Sequence, residues 1–316
     1  MKATFTGGTA LVLTLVLAAC GGPPAPAPGT PPPAKQKTVG ASLLTQTHVF
    51  YQDMVEAMQA AATANNLNLR IQYAEFDTRR QNDQIDTFLA QGVDALLIAP
   101  TDSSGIAPVI AQASSQGVPV FTVDIAAPGT QTVSHIASDN EKGGFLLGQY
   151  LAKLLNNRGK VAIIDHPIVT SVQDRTRGFE NALKGTEITI VQRVPGDGQR
   201  DKAFRVAQDL LQAQPDLNAI FGINDDSALG ALAAIEAANL QDKILIVGFD
   251  GTPEARDQIL KGTALKADAV QFPKKVGAQA IETVAAALRG EQVPPLVPVP
   301  VEIIDQASLQ AEQPSS

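Results

Sequence analysis

Carboxylates, amides, a guanidinium and aromatic rings recur at one kind of place in this sequence, just after short runs of β-branched and apolar residues. "TVGASLL" runs into Thr45, Gln46, Thr47, His48, Val49, Phe50 and Tyr51; "DALLIAP" runs into Thr101 and Asp102; "VPVFTV" runs into Asp124. Further on, "LNAIFGI" meets Asn224, Asp225 and Asp226, "KILIVG" meets Phe249 and Asp250, and "ALKADAV" meets Gln271, while Arg175 heads an amphipathic stretch. A carboxylate accepts hydrogens from hydroxyls on adjacent carbons, a guanidinium donates in a planar fork, and an amide does both. Rings such as Phe50, Tyr51 and Phe249 can cover the C–H faces of a sugar ring. Taken singly, each residue has an ordinary explanation. An aspartate at a strand end commonly caps a helix or fills a turn, and Asp102 and Asp225 are assigned that role. Phe50 suits a core, and Arg175 suits a surface pair with Asp174 or Glu180. The joint pattern points to a site for a small polyol or sugar.

The elements that must position these residues follow from periodicity. Apolar runs alternate with amphipathic stretches that predict helices over residues 51–65, 82–91, 103–116, 143–155, 172–184, 200–213, 227–238 and 253–261. Nearly continuous apolar strands separated by helices predict parallel sheets covered on both faces. The expected fold class is α/β, with two doubly wound parallel-sheet domains joined by a multi-strand hinge. A break near Ala137–Asn140 divides the two series. The last predicted helix, 274–289, has no strand of its own before it in the second series, so the chain is expected to return there to the first domain and recross at "VPVPVEII". The expected lobes are 38–138 with 272–298 and 139–271 with 299–306, leaving 307–316 as a tail. In such sheets ligands bind outside the carboxyl ends of the strands, where the polar residues collect. A ligand held between two lobes also provides a signal, because closure buries it and creates a new outer surface.

Composition narrows the partners. The formal charge of −8 argues against nucleic acid or another polyphosphate, which would call for a basic stripe. With one cysteine, Cys20, there is neither an intramolecular disulfide nor a cysteine-rich metal site, and His48, His135 and His166 show no metal-ligand spacing. No metal or cofactor is expected. Ahead of Cys20, Lys2 and the run "ALVLTLVLAA" at 10–19 have the length of a signal-peptide apolar region and are too short to span a membrane. Residues 1–19 are therefore expected to be a cleaved signal peptide. Residues 21–37 hold seven prolines and cannot bury enough apolar surface to fold. They predict a stiff tether that, at about 3.1 Å per residue, reaches roughly 50 Å.

Two resemblances add to this reading. "Leu17-Ala18-Ala19-Cys20" resembles the bacterial lipobox, which implies lipidation of Cys20 and export to a membrane surface facing the periplasm or the cell exterior. "VSHIASDN", "NDDSALGAL", "VGFDGTPEA" and "AVQFPKKVGAQAIE", in order and suitably spaced, resemble the type I periplasmic binding proteins, most closely the ribose-binding subgroup that feeds ABC importers. That likeness implies a non-catalytic protein, monomeric, that captures one monosaccharide or related polyol, closes, and docks on a permease. It implies ligand contacts for Asp124 in "FTVDI", Arg175 in "DRTRGF", Asn224 in "GIND", Phe249 and Asp250 in "GFDG", and Gln271 in "AVQFP". Thr45, Phe50 and Tyr51 belong to the first binding loop. Three departures bear on specificity: Ile125 stands where ribose binders carry arginine, His48 where they carry asparagine, and Gly198 where they carry an aromatic residue.

Other functions are weighed against this. An enzyme is disfavoured by the absence of "GxGxxG", "GxSxG" and "HExxH". A sugar-responsive transcription regulator would need a helix-turn-helix ahead of residue 38, where leader and prolines stand. A receptor for chemotaxis or signalling with the same fold stays open.

Overall fold

The computed structural model describes residues 1–4, 6–8 and 36–312, so Cys20 and the expected tether up to residue 35 lie outside the described residues, while Lys37, expected to end the tether, opens the first strand. The chain divides into two units, Met1–Lys35 and Gln36–Ser316. In the first, the described residues have no regular secondary structure. Among the described residues, no helix is long and apolar enough to cross a membrane.

The second unit alternates strand and helix almost throughout. Its first series is β1 (Lys37–Leu43), α1 (Val49–Ala64), β2 (Leu67–Tyr73), α2 (Thr78–Ala90), β3 (Ala95–Ile98), α3 (Ala107–Ser115), β4 (Val120–Val123) and β5 (Ser134–Ser138). A second series runs α4 (Asn140–Leu154), β6 (Arg158–Asp165), α5 (Thr170–Leu183), β7 (Glu187–Pro195), α6 (Arg200–Ala213), β8 (Ala219–Gly222), α7 (Asp225–Ala237), β9 (Leu245–Asp250), α8 (Pro253–Leu260) and β10 (Leu265–Val270). The chain ends in α9 (Pro273–Leu288), β11 (Leu296–Val299), β12 (Glu302–Asp305) and α10 (Gln306–Glu312).

Two six-stranded sheets result, ordered β11-β5-β4-β3-β1-β2 and β12-β10-β9-β8-β6-β7. Every pairing is parallel except β10 with β12. The central strands β3, β4 and β8 are buried along their whole length, which is why their sequences read as unbroken apolar runs. α9 packs on α1 beside the first sheet, and β11 pairs with β5, so both return to the first lobe, while β12 joins the second sheet. The chain therefore passes between the sheets three times: at Asp139, at Gln271–Phe272 and at Pro300–Val301. Asp139 N–H donates to Val299 O (2.9 Å), tying the first crossing to the third. Residues 307–312, expected from the sequence as tail, form most of α10, because Leu309 gives that segment an apolar side chain to bury.

One close helix approach fixes the position of Arg175. α4 and α5 cross through Gly144 and Gly178, where a Cβ would come within 1.9 Å of Arg175 O and 2.0 Å of Glu141 O respectively. Without those glycines α5 would have to move away from α4, carrying Arg175 with it.

Candidate functional site

The carboxyl ends of the two sheets face each other across a cavity in which the space open to the centre of a water molecule is about 60 Å³. The lobes touch at its rim. Ser103 N–H donates to Ile168 O (3.1 Å), Thr170 N–H to Ser103 Oγ (3.0 Å), and Ala126 N–H to Thr170 Oγ1 (2.9 Å). Eleven of the twelve residues singled out in the sequence line this cavity: Thr45, His48, Phe50, Tyr51, Asp124, Ile125, Arg175, Gly198, Asn224, Asp250 and Gln271.

Phe249 does not, which corrects its assignment as a ring over the ligand. Successive strand residues face opposite ways, and Asp250 takes the cavity side. The Phe249 ring lies instead against Gly143 and beneath Arg175, whose guanidinium carbon is 3.9 Å from the ring centroid. Its cation–π contact, together with hydrogen bonds from Arg175 Nε to Asn140 Oδ1 (2.8 Å) and from Nη1 to Ile223 O (2.7 Å), fixes the guanidinium plane. Nη2 makes no hydrogen bond to the described residues, so a pair of donors is left for the cavity. Arg175 is buried and is not the surface charge that its sequence neighbourhood allows; Arg177 pairs with Asp174 instead.

Each lobe contributes one buried carboxylate. Asp124 follows β4 with φ of 63° and accepts from Tyr51 Oη (2.6 Å). Burial raises its pKa, while Arg175 and the tyrosine hydroxyl oppose that rise. The Tyr51 hydroxyl is held well above its ordinary value by burial and by Asp124, and so stays a donor. Asp250 ends β9 with φ of 133° and accepts from Gln271 Nε2 (2.6 Å). Burial opposes its ionisation, but His48, Arg175 and Gln271 outweigh burial and hold its pKa below the ordinary carboxylate value. Gln271 Oε1 is buried without a partner among the described residues.

His48 reaches from the first lobe to the second. Its Nε2 lies 3.3 Å from Asp250 Oδ2 and 3.8 Å from Asp226 Oδ2, and its Nδ1 accepts from Phe50 N–H (3.1 Å) as the N-cap of α1. Burial works against a charged ring, but the hydrogen bond and charge of Asp250, with Asp226 and Asp225, raise the pKa to about 9. Accepting at Nδ1 requires that nitrogen to be bare, so protonation of the ring, which its raised pKa favours, competes with the cap on α1.

Two residues are already committed to holding loops. Thr45 Oγ1 donates to Glu75 Oε2 (2.7 Å). Asn224 caps α7 through Ser227 N–H (2.9 Å) and donates to Gly198 O (3.1 Å). Asp225 is therefore not the cap. It is buried, accepting from Thr252 N–H (2.7 Å) and donating its own N–H to Asp250 Oδ2 (3.3 Å). Behind it sits Asp268 on β10, fully buried. Among the described residues both Asp268 oxygens and Asp225 Oδ1 have no hydrogen-bond partner, and the two carboxyls converge over Gly248, where a Cβ would meet Asp268 Oδ2 at 2.9 Å and Asp225 Oδ1 at 3.2 Å. Two bare carboxylates cannot coexist there. Burial and the neighbouring acid push Asp268 well above its ordinary value, and burial brings Asp225 to about 6, so the pair shares a proton.

The sequence reading missed Phe76 and His166 as lining residues, and with them Leu44, Val169, Val172 and Ile223. Phe76 follows β2, between Glu75 and Asp77, at a strand end where the sequence reading placed no site residue. His135 is on β5 with Nδ1 2.9 Å from Thr122 Oγ1 and away from the cavity lining. Among the described residues no cluster of His, Cys, Asp and Glu could hold a metal ion.

Two like-ordered parallel sheets, three crossings and an enclosed polar cleft define a two-lobed binding protein. Residues 39–292 match the family described as "Periplasmic binding protein domain", and the chain belongs to that family. Among curated proteins, it is 34% identical over 273 residues to the ribose import binding protein RbsB of Bacillus subtilis (strain 168), covering 86% of this chain and 88% of that one. Among solved structures, it is similar to an ABC transporter solute binding protein from Mycobacterium smegmatis with bound glycerol (TM-score 0.83, 33% identity, 89% of this chain and 98% of that one). A periplasmic solute binding protein from Actinobacillus succinogenes 130z with bound D-allose is similar at TM-score 0.79 and 27% identity, over 87% of this chain and 100% of that one.

Proposed function

We propose that this chain captures one small polyol or monosaccharide between its lobes and delivers it to the permease of an ABC importer. The observation that carries this reading is the convergence on one enclosed cavity of a buried carboxylate from each lobe with the unengaged Nη2 of Arg175, beside Phe50 and Tyr51. Such a set accepts and donates hydrogen bonds to hydroxyls, and two carboxylates repel an anionic ligand. The space open to water centres is about 60 Å³, a cavity for one small molecule rather than a chain of sugars. That suits a single polyol or monosaccharide. Ile125, where ribose binders carry a second guanidinium, makes this pocket less polar than theirs, and the ligand is accordingly assigned as a class rather than as D-ribose. The names of the similar proteins, with ribose, glycerol and D-allose, support the same class.

The lipid anchor at Cys20, the leader of residues 1–19, the tether and a monomeric state belong to the same proposal and rest on the sequence. The lobe bounds read from the sequence, 38–138 with 272–298 and 139–271 with 299–306, belong to the same proposal, except that Val299 goes with the first lobe through its pairing with Ser138.

The test is thermal unfolding of protein refolded to strip co-purified ligand, against D-ribose, D-allose, xylitol, glycerol and, as controls, nucleosides and amino acids. A ligand at a hundredfold excess over Kd stabilises by about 2.7 kcal/mol. Stabilisation confined to sugars or polyols supports the reading; silence from all of them, with a response to a nucleoside or amino acid, overturns it.

A further inference from the structure

The loop after β6 carries an imidazole that takes no part in the carboxylate and guanidinium set. His166 sits at the carboxyl end of that strand, its backbone N–H bonded to Asp165 Oδ1 (2.7 Å). The ring is 5% exposed and lines the cavity from the second lobe. Across the cleft it meets Phe76 of the first lobe, with ring centroids 6.5 Å apart and planes at 50°. Neither ring nitrogen has a hydrogen-bond partner among the described residues, although buried polar side chains are ordinarily paired. Burial lowers its pKa; Asp197 and Asp102 pull it up and Lys202 pushes it down, leaving it below the ordinary value. A neutral imidazole offers one donor and one acceptor.

The neighbouring loop explains why there is room for this ring. Gly198 has φ of 68°, and a Cβ there would lie 3.3 Å from Asn224 Nδ2 and 3.8 Å from His166 Nδ1. A large side chain at 198 and the imidazole at 166 would compete for one volume, and this chain gives it to the imidazole.

We propose that His166 is a ligand-contacting residue that sets specificity, presenting its neutral ring nitrogens to a hydroxyl of the bound polyol from the space that the glycine at 198 leaves open. The inference rests on the cavity being a polyol site. A ring serving only as packing would be replaceable by phenylalanine; a hydrogen-bonding ring would not.

The experiment is calorimetric titration of wild type, His166→Phe and His166→Asn with D-ribose, D-allose, xylitol and glycerol, then with monodeoxy analogues of the best binder. His166→Phe should weaken the best probe by about tenfold or more. At one hydroxyl, removal from the probe should cost the wild type affinity and cost His166→Phe little, the coupling expected of a direct pair. The imidazole nitrogen signals of His166, distinguished from those of His48 and His135 by His48→Asn and His135→Asn, should shift on saturation with the probe, a readout that holds even if a 166 variant does not fold. His166→Phe binding every analogue as the wild type does, or nitrogen signals unmoved at saturation, would overturn the inference while leaving the polyol site intact. A wild type that binds none of the four probes would overturn the site assignment and this inference with it.

Discussion

Replacing Asp268 by asparagine tests the buried acid pair directly. With Asp268 pushed well above its ordinary value, the folded protein holds a proton that the unfolded chain releases above about pH 4. A folded state that binds more protons than the unfolded one loses stability as pH rises, by about 1.4 kcal/mol per pH unit per proton. The wild type should therefore lose stability as pH rises above about 5, at up to about 1.4 kcal/mol per pH unit from Asp268, until pH passes its folded-state value. Asp225, at about 6, steepens the fall only below that pH. An asparagine has no proton to release, and its amide N–H can donate to the otherwise unpartnered Asp225 Oδ1. Urea unfolding of ligand-free wild type and Asp268→Asn at pH 5, 6, 7 and 8 gives the comparison. His48 and the other titrating groups are common to both and cancel in the difference. The variant should gain on the wild type steadily with pH, and parallel curves would refute the shared proton.

The other expectations are simpler. Arg175→Ala should weaken ligand binding by at least about 2 kcal/mol in calorimetry, since Asp250 and the ligand hydroxyls lose a buried charged partner; Asp124→Ala and Asp250→Ala should do likewise, and unchanged affinity in all three would remove the site. His48→Ala should cost more in urea unfolding than the roughly 1 kcal/mol of a lost cap, because Asp250 also loses a buried partner, and His48→Asn should recover only the capping part. Gly144→Ala should sharply lower the yield of folded protein and the melting temperature, since its Cβ would sit 1.9 Å from Arg175 O; a normal melt would mean that the two helices separate easily.

The two sheets were legible because buried parallel strands write themselves as apolar runs, and "DALLIAP" and "LNAIFGI" are such runs. Asp124 and Asp250 were legible for a related reason: the polar residue ending an apolar strand lands at the edge where clefts form. Phe249 shows the limit of that rule, because it identifies the strand end but not the face on which each of two neighbours emerges. His166 was passed over because it stands in a loop, and its value comes from the gap at Gly198, 32 positions away, which no local pattern reports. Asp268 looks like an ordinary strand residue in the sequence, since its partner Asp225 follows β8 and the pairing exists only once β8, β9 and β10 are side by side.

The matching strand orders mean that β4 and β9 occupy equivalent places in the two sheets, and each delivers one aspartate at its end with a positive φ. Asp124 and Asp250 are thus counterparts in strand order, Asp124 accepting from Tyr51 and Asp250 from Gln271 and Asp225 N–H. A ligand with near-palindromic hydroxyls would meet almost the same pair of acceptors in either direction, so the carboxylates alone cannot tell its head from its tail. The guanidinium of Arg175 comes from one half only. Arg175, propped on Phe249, is one residue that breaks the duplication, and so one by which the cleft can distinguish the two directions of a ligand.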